Sequence, residues 1–79
     1  MSRLPRISGK DLLAAFLRAG FTLTHVRGSH HYLRKARSGK LVVVPIHGGQ
    51  TIPLGTLKSV LRQAELSSEE LVRLLEDEP

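Results

Sequence analysis

The change of hydrophobic period along the chain constrains its fold more than any other feature. A first group of apolar residues recurs at the spacing of one helical stripe: Leu12, Leu13, Phe16 and Leu17. Ser8 precedes this stripe as a potential N-cap, with Asp11 three residues later, as in a capping box. Gly20 stands where a glycine commonly ends a helix. The pattern predicts a helix over about residues 9–19.

From residue 21 the period falls to two, which is typical of strands. "FTLTHVR" and "HHYLRKA" are rich in β-branched and aromatic residues, and Gly28 and Ser29 separate them. The turn "RSGK" leads into "LVVVPI", which is apolar without alternation, as in a short buried strand. Pro45 cannot donate a ladder hydrogen bond and should end the pairing. Three consecutive strands joined by short turns predict an antiparallel sheet.

Two further helices are predicted after the loop "HGGQTIP". The first carries an apolar stripe: Leu54, Leu57, Val60, Leu61 and Ala64. Ser67 and Glu70 form a second capping box, which opens a short last helix. The order α-β-β-β-α with a short C-terminal helix predicts an α+β two-layer sandwich, with both main helices on one face of the sheet. We expect residues 1–79 to form one domain.

The charge of the chain is large and unevenly distributed. Residues 1–64 hold eleven Lys and Arg and one acid, a formal charge of +10, whereas residues 65–79 hold six acids and one Arg, a charge of −5. A solubilising surface is the simpler explanation of a basic protein. So strong an excess in 64 residues instead favours a body that binds a polyanion such as RNA, followed by an acidic segment.

Composition limits the environment of the protein. It has no Cys, no N-terminal apolar run like that of a signal peptide, and no stretch approaching the roughly 18 apolar residues of a membrane span. We therefore expect a cytoplasmic protein without a membrane partner.

Four histidines are the candidates for chemistry: His25, His30, His31 and His47. Each could simply be a hydrogen-bonded structural residue. His30 and His31 are neighbours on a strand, so they point to opposite faces and cannot jointly bind one ion. No carboxylate lies near them in the sequence to complete a metal site. We therefore expect no metal and no cofactor.

General acid–base catalysis is a third option, and His30, which follows the Gly28-Ser29 corner, is the histidine best placed for it in the sequence. Basic residues lie on both sides of it in the sequence: Arg27, Arg34, Lys35 and Lys40. Gly28 allows the backbone to approach a phosphate, and Ser29 offers a hydroxyl donor. RNA carries its own nucleophile, the 2′-OH. Strand scission therefore needs only proton transfer, which an imidazole performs near neutral pH, and positive charge near the phosphate.

The sequence also resembles the HicA toxin family, the mRNA interferases of HicAB toxin–antitoxin modules. The resemblance runs through "SGKDLLAAFLRAGF", "RGSHHYL", "LVVVPIHGG" and "GTLKSVLRQAELS". It implies a fold like that of double-stranded-RNA-binding domains and metal-independent cleavage of mRNA. It also implies that the histidine after Gly-Ser, His30, is catalytic, and that a HicB-like antitoxin masks this histidine and the basic surface.

Strand alternation predicts that His30, Tyr32 and Arg34 share one face of the second strand, which we expect to face single-stranded or loosely structured RNA. The full set of candidate RNA contacts is Gly28, Ser29, Arg27, Tyr32, Arg34, Lys10, Lys58 and Arg62. A second titrating group stays open between His47 and His25. The alternatives are a non-catalytic RNA-binding module of the same fold and, more weakly, a domain that binds only protein.

Overall fold

The computed structural model of the chain describes residues 4–76. Its elements are α1 (Gly9–Arg18), β1 (Phe21–Arg27), β2 (His30–Lys35), β3 (Leu41–Pro45), α2 (Leu54–Ala64) and α3 (Ser68–Glu76). The last three residues of the acidic segment lie outside the described residues. Within residues 4–76 no helix combines the length and the apolar composition needed to cross a membrane.

Helix α1 begins and ends at the residues that the sequence indicates. The Ser8 hydroxyl oxygen accepts a hydrogen bond from the backbone N–H of Asp11 at 3.2 Å, which satisfies one of the free donors of the first turn. Ala19 is the C-cap, and Gly20 follows with a φ of 96°, a conformation that glycine adopts without steric cost.

The three strands form one antiparallel sheet in the order β1-β2-β3. The predicted fold class is thus confirmed: the element order, the open three-stranded sheet and the helices are those of an α+β fold like the double-stranded-RNA-binding domain. The register of β1 against β2 shifts between Leu23 and His25, so Thr24 forms a bulge that bends the edge strand.

The core lies between the sheet and the two main helices. Leu33, Val42 and Val44 of the sheet are fully buried, as are side chains of the three helices that include Leu12, Phe16, Leu57 and Leu71. In β1 only Phe21 is buried, and the rest of the strand is exposed. This strand is therefore a solvent-accessible edge of the sheet.

Helix α3 is part of the fold and packs against α1. Leu71 is fully buried, and the Arg18 guanidinium donates a hydrogen bond to the carbonyl oxygen of Leu74 at 3.0 Å. Glu65, at the start of the acidic segment, caps α2 and forms a 2.6 Å ion pair with Lys40. The described part of the acidic segment, residues 65–76, thus packs against the basic remainder of the domain.

Candidate functional site

Nine residues form the outer face of the sheet, which is the face opposite the core. In cross-strand rows they are Arg27, His30 and Pro45; His25, Tyr32 and Val43; Thr22, Arg34 and Leu41. His31, Leu33 and Lys35 lie on the core side of β2, where Leu33 is fully buried. The predicted division of the second strand into two faces is confirmed, and the RNA-binding role of the outer face stays a prediction.

His30 is exposed at the first position of β2, directly after the Gly28-Ser29 turn. Gly28 has a φ of 61°, which favours glycine at this corner. The Ser29 carbonyl oxygen accepts hydrogen bonds from the Ile46 backbone N–H at 2.8 Å and, in the tautomer protonated at Nδ1, from the His31 ring at 3.2 Å. These two contacts fix the corner that carries His30.

One wall of an open cleft of about 390 Å³ is formed by His30. This His30 cleft lies between the sheet and one flank of α2, and its lining residues are His30, Val43, Pro45, Gly55, Thr56, Ser59, Val60 and Gln63. The imidazole is the only titratable group among them. A substrate group in this cleft would meet one proton-transfer group among neutral side chains.

Tyr32 is held by its neighbours on the outer face. Its ring stacks on that of His25, with centroids 4.2 Å apart and planes 8° from parallel. The Thr24 hydroxyl donates to the Tyr32 carbonyl oxygen at 3.1 Å and lies 3.4 Å from Nδ1 of His25. The bulge residue and both aromatic rings therefore form one connected group beside His30.

The basic residues that flank His30 in the sequence do not all surround it in space. Arg27 lies directly opposite His30 on β1, and Arg34 shares the outer face, with its guanidinium donating to the Gly39 carbonyl oxygen at 3.0 Å. Lys35 lies on the core side, 5.5 Å from the centre of the Phe21 ring, and Lys40 is paired with Glu65. The expectation of a basic surrounding thus holds for Arg27 and is wrong for the two lysines. Arg34 shares the face of His30 but lies four residues along β2, where its guanidinium binds the turn that follows the strand.

The remaining candidate contacts lie away from the His30 cleft. Lys10 on α1 and Lys58 and Arg62 on α2 are exposed, and none of them lines the cleft. Helix α2 instead presents Ser59 and Gln63, which sequence reasoning missed because neither side chain is charged or titratable. Their i, i+4 spacing places them on one flank of the helix, and this was the only available signal.

His47 lines a second, smaller cleft of about 270 Å³. The lining residues of this His47 cleft are Pro45, His47, Gln50, Thr51, Ile52, Pro53 and Thr56. Pro45 and Thr56 also line the His30 cleft, so the two clefts adjoin. Within residues 4–76 no three His, Asp or Glu side chains gather as a set of metal ligands.

A known protein family matches most of the chain. Residues 9–66 match the family model described as the HicA toxin of bacterial toxin–antitoxin systems. The chain belongs to the HicA toxin family. Family membership implies a toxin role and an antitoxin partner within a toxin–antitoxin module. The match begins with α1 and ends before α3, so the HicA model covers both clefts and the whole sheet. No curated protein matches the chain.

Proposed function

We propose that this HicA-family toxin is an endoribonuclease that cleaves mRNA by attack of a ribose 2′-OH, with His30 as the proton-transfer group and without a metal ion. The observation that carries the proposal is the setting of His30. The imidazole is exposed, lines an open cleft and lies opposite Arg27 on the outer face.

The chemistry is a transesterification at phosphorus. The 2′-oxygen attacks the adjacent phosphate, a bond forms between this oxygen and phosphorus, and the bond from phosphorus to the 5′-oxygen breaks. One proton leaves the 2′-OH and one is delivered to the departing 5′-oxygen. His30 serves as the general base or acid. Arg27 is positioned to stabilise the negative charge that develops on the phosphate oxygens. The products carry a 2′,3′-cyclic phosphate and a 5′-OH.

RNA binding in this proposal uses the outer face and the basic surface around it. The exposed part of Tyr32 stacks against a base, and Arg34 neutralises a phosphate. Gly28 and Ser29 bring backbone and hydroxyl donors to the corner beside His30. Outside the cleft, Lys10, Lys58 and Arg62 contact more distant phosphates. The substrate is single-stranded or loosely structured, because stacking on Tyr32 requires an unpaired base.

The antitoxin partner, in this proposal, is HicB-like and covers the outer face. An exposed edge strand and a strongly basic body form a surface that an acidic or strand-donating partner complements. The test is to mix the chain with the protein encoded beside it. We expect a complex at micromolar concentration that prevents RNA cleavage, and the absence of any complex would contradict this part of the proposal.

The principal test replaces His30. His30→Ala should leave the circular dichroism spectrum and the binding of an all-deoxy oligonucleotide nearly unchanged, since the side chain is exposed. It should lower RNA cleavage by about 100-fold or more, the usual contribution of one acid–base group. The wild type should cut RNA in EDTA, leave cyclic or 3′-phosphate ends and spare all-deoxy strands. Cleavage that survives His30→Ala, or products with 3′-hydroxyl ends, would overturn the mechanism.

A graded series at Gly55 tests whether the His30 cleft takes the substrate. Gly55 lines the cleft, and a Cβ atom added there meets no atom within 4 Å. Gly55→Ala should change cleavage little, whereas Gly55→Leu should narrow the cleft and raise the KM for RNA. Equal activity of the two variants would contradict a role of this cleft in binding.

A non-catalytic RNA-binding module is the second candidate. The position of Lys58 and Arg62 outside the His30 cleft favours it, because a duplex-binding domain of this fold would contact A-form RNA from such helix surfaces. In that case replacement of Lys58 and Arg62 would abolish binding to duplex RNA, His30→Ala would have no effect, and no RNA would be cut.

A further inference from the structure

The His30 cleft and the His47 cleft adjoin at two shared lining residues. Pro45 and Thr56 stand in the walls of both, so a ligand that passes over these two residues enters both clefts. Within residues 4–76 the titratable groups that line the two clefts are His30 in one and His47 in the other. One histidine in each of two adjoining clefts is an arrangement that suits a two-group proton transfer.

Backbone geometry limits the distance between the two histidines. Pro45 is the cross-strand partner of His30, and His47 follows Pro45 by two residues. An antiparallel pair separates Cα atoms by at most about 5.5 Å, and two residues of chain span at most about 7 Å, so the two histidine Cα atoms lie within about 13 Å of each other. Cα atoms within this limit allow the two side chains to reach opposite sides of one phosphate.

The loop that carries His47 is anchored at both ends. At its start the Ile46 N–H donates to the carbonyl oxygen of Ser29, the residue before His30, at 2.8 Å. At its end the Ile52 N–H donates to the Ile7 carbonyl oxygen at 2.8 Å. Inside the loop, the Gln50 N–H donates to the His47 carbonyl oxygen at 3.0 Å and closes a turn. The hydrogen bond to Ser29 joins the residue before His47 to the residue before His30, so it couples the backbone positions of the two histidines.

The side chains of the His47 cleft suit a nucleoside better than a phosphate. Gln50, Thr51 and Thr56 offer neutral hydrogen-bonding groups, and Ile52 and Pro53 offer apolar surface. Among the described residues, no Lys or Arg lines this cleft. A base and a ribose fit this combination of apolar walls and a few neutral polar groups. The charged phosphate would then lie between the clefts, above Pro45 and Thr56.

We propose that the His47 cleft is a second nucleotide subsite and that His47 is the catalytic acid of the cleavage reaction. This inference rests on the proposed function and extends it. The nucleotide that supplies the 2′-OH occupies the His30 cleft, where His30 takes the 2′-OH proton. The nucleotide that leaves occupies the His47 cleft, where protonated His47 gives its proton to the 5′-oxygen as the bond from phosphorus to that oxygen breaks.

The test uses a substrate whose leaving group needs no proton. In one oligonucleotide a single ribonucleotide is embedded in DNA, and in a second the 5′-oxygen of its scissile linkage is replaced by sulfur. A thiolate is a far weaker base than an alkoxide and departs without general acid catalysis. His47→Gln should lower the cleavage rate of the oxygen substrate by about 100-fold or more. The same variant, His47→Gln, should cut the sulfur substrate at nearly the wild-type rate. His30→Ala should be slow on both substrates.

Several outcomes would overturn the inference, and they differ from a failure of the proposed function. His47→Gln that cuts both substrates at the wild-type rate, or that is equally slow on both, would exclude His47 as the acid. If His30→Ala cuts the sulfur substrate at nearly the wild-type rate, His30 is the general acid rather than the general base. That result would also overturn the assignment. If His30→Ala retains full activity on both substrates, the proposed function itself fails. Unfolding curves of His47→Gln that match the wild type would show that the exposed loop position is not needed for folding.

Discussion

The imidazole of His25 lies parallel to the phenol ring of Tyr32, with ring centroids 4.2 Å apart and ring planes 8° from parallel. The two residues are cross-strand partners on the outer face, and such pairs of aromatic side chains stabilise antiparallel strands. The Thr24 hydroxyl also binds the Tyr32 carbonyl oxygen, so the strand bulge and the ring pair restrict Tyr32 together. In the proposed function, this fixed aromatic ring is the platform on which an unpaired base stacks.

Replacing Tyr32 therefore separates stacking from hydrogen bonding by the phenol hydroxyl. We expect Tyr32→Ala to weaken the binding of an all-deoxy oligonucleotide by about 1–3 kcal/mol, the usual effect of removing an aromatic ring on which one base stacks. Tyr32→Phe should bind nearly as well as the wild type because it keeps the ring. Fluorescence anisotropy at fixed salt measures both affinities. Equal loss in the two variants would indicate that the hydroxyl, and not the ring, contacts the nucleic acid.

Local sequence signals predicted the elements and their faces well. The helical stripe beginning at Leu12 and the capping pairs of Ser8 and Ser67 identified helix positions, because helix ends need specific hydrogen-bond partners. Strand alternation placed His30 and Tyr32 on one face, because the side-chain period of a strand is two. These signals depend only on residues close together in the sequence.

The structure of the site depends on contacts between distant residues, which a single sequence does not encode in any local pattern. Lys40 lies ten residues after His30 in the sequence, yet its ammonium group forms an ion pair with Glu65, twenty-five residues further along. Ser59 and Gln63 line the His30 cleft because α2 packs against β3, an element distant from them in the sequence. The bulge at Thr24, which stands beside the His25–Tyr32 pair, likewise left no signal in the alternation of β1.

Gly9 and Gly55 should respond in opposite ways to alanine. A Cβ atom added at Gly9 would lie 2.6 Å from the Pro45 carbonyl oxygen and 2.8 Å from a side-chain carbon of Ile46, and backbone cannot yield easily. We expect Gly9→Ala to lower the free energy of unfolding by about 1–3 kcal/mol, as overpacking does. Gly55→Ala, which meets no neighbour, should raise it by about 0.4–1 kcal/mol.

Urea denaturation of the two variants at pH 7 measures both changes in the free energy of unfolding. Both glycines lie in the first turn of a helix, so their local helical environments are similar. If the two alanine substitutions change the free energy of unfolding in opposite directions, the difference comes from the close approach of α1 to β3. Stabilisation by alanine at both positions would show that the junction beside Pro45 is looser than the contact distances indicate.

The capping box of α3 should make stability depend on acidic pH. The Ser67 backbone N–H donates to the Glu70 carboxylate at 2.9 Å, and the Glu70 N–H donates to the Ser67 hydroxyl oxygen at 3.0 Å. Hydrogen bonds from the backbone and then the side chain of Ser67 hold the pKa of Glu70 below its ordinary value of 4.5. A carboxylate with a lowered pKa stabilises the folded state above that ordinary value, and this stabilisation is lost as the pH falls through the lowered pKa.

Glu70→Gln tests this dependence, because the amide keeps an acceptor for the Ser67 N–H but carries no charge. The wild type should be more stable than Glu70→Gln at pH 7, and the difference should shrink as the pH falls below 4.5. Urea denaturation at a series of pH values measures this difference in the free energy of unfolding between the wild type and Glu70→Gln. Ser67→Ala, which removes the cap itself, should cost about 1 kcal/mol at pH 7. A difference between wild type and Glu70→Gln that stays constant with pH would contradict this account.

Helix α3 lies beyond the matched part of the chain and should nevertheless be required for stability. The HicA match ends at residue 66, whereas Leu71 is fully buried in the common core. We expect Leu71→Ala to lower the free energy of unfolding by about 2–5 kcal/mol, the usual cost of a cavity at a buried leucine. Glu69→Ala, an exposed change on the same helix, should shift it by less than about 0.5 kcal/mol. Urea denaturation with detection by circular dichroism compares them. Equal stability of the two variants would mean that α3 separates from α1 in solution, and the acidic segment would then be free to contact the basic surface elsewhere.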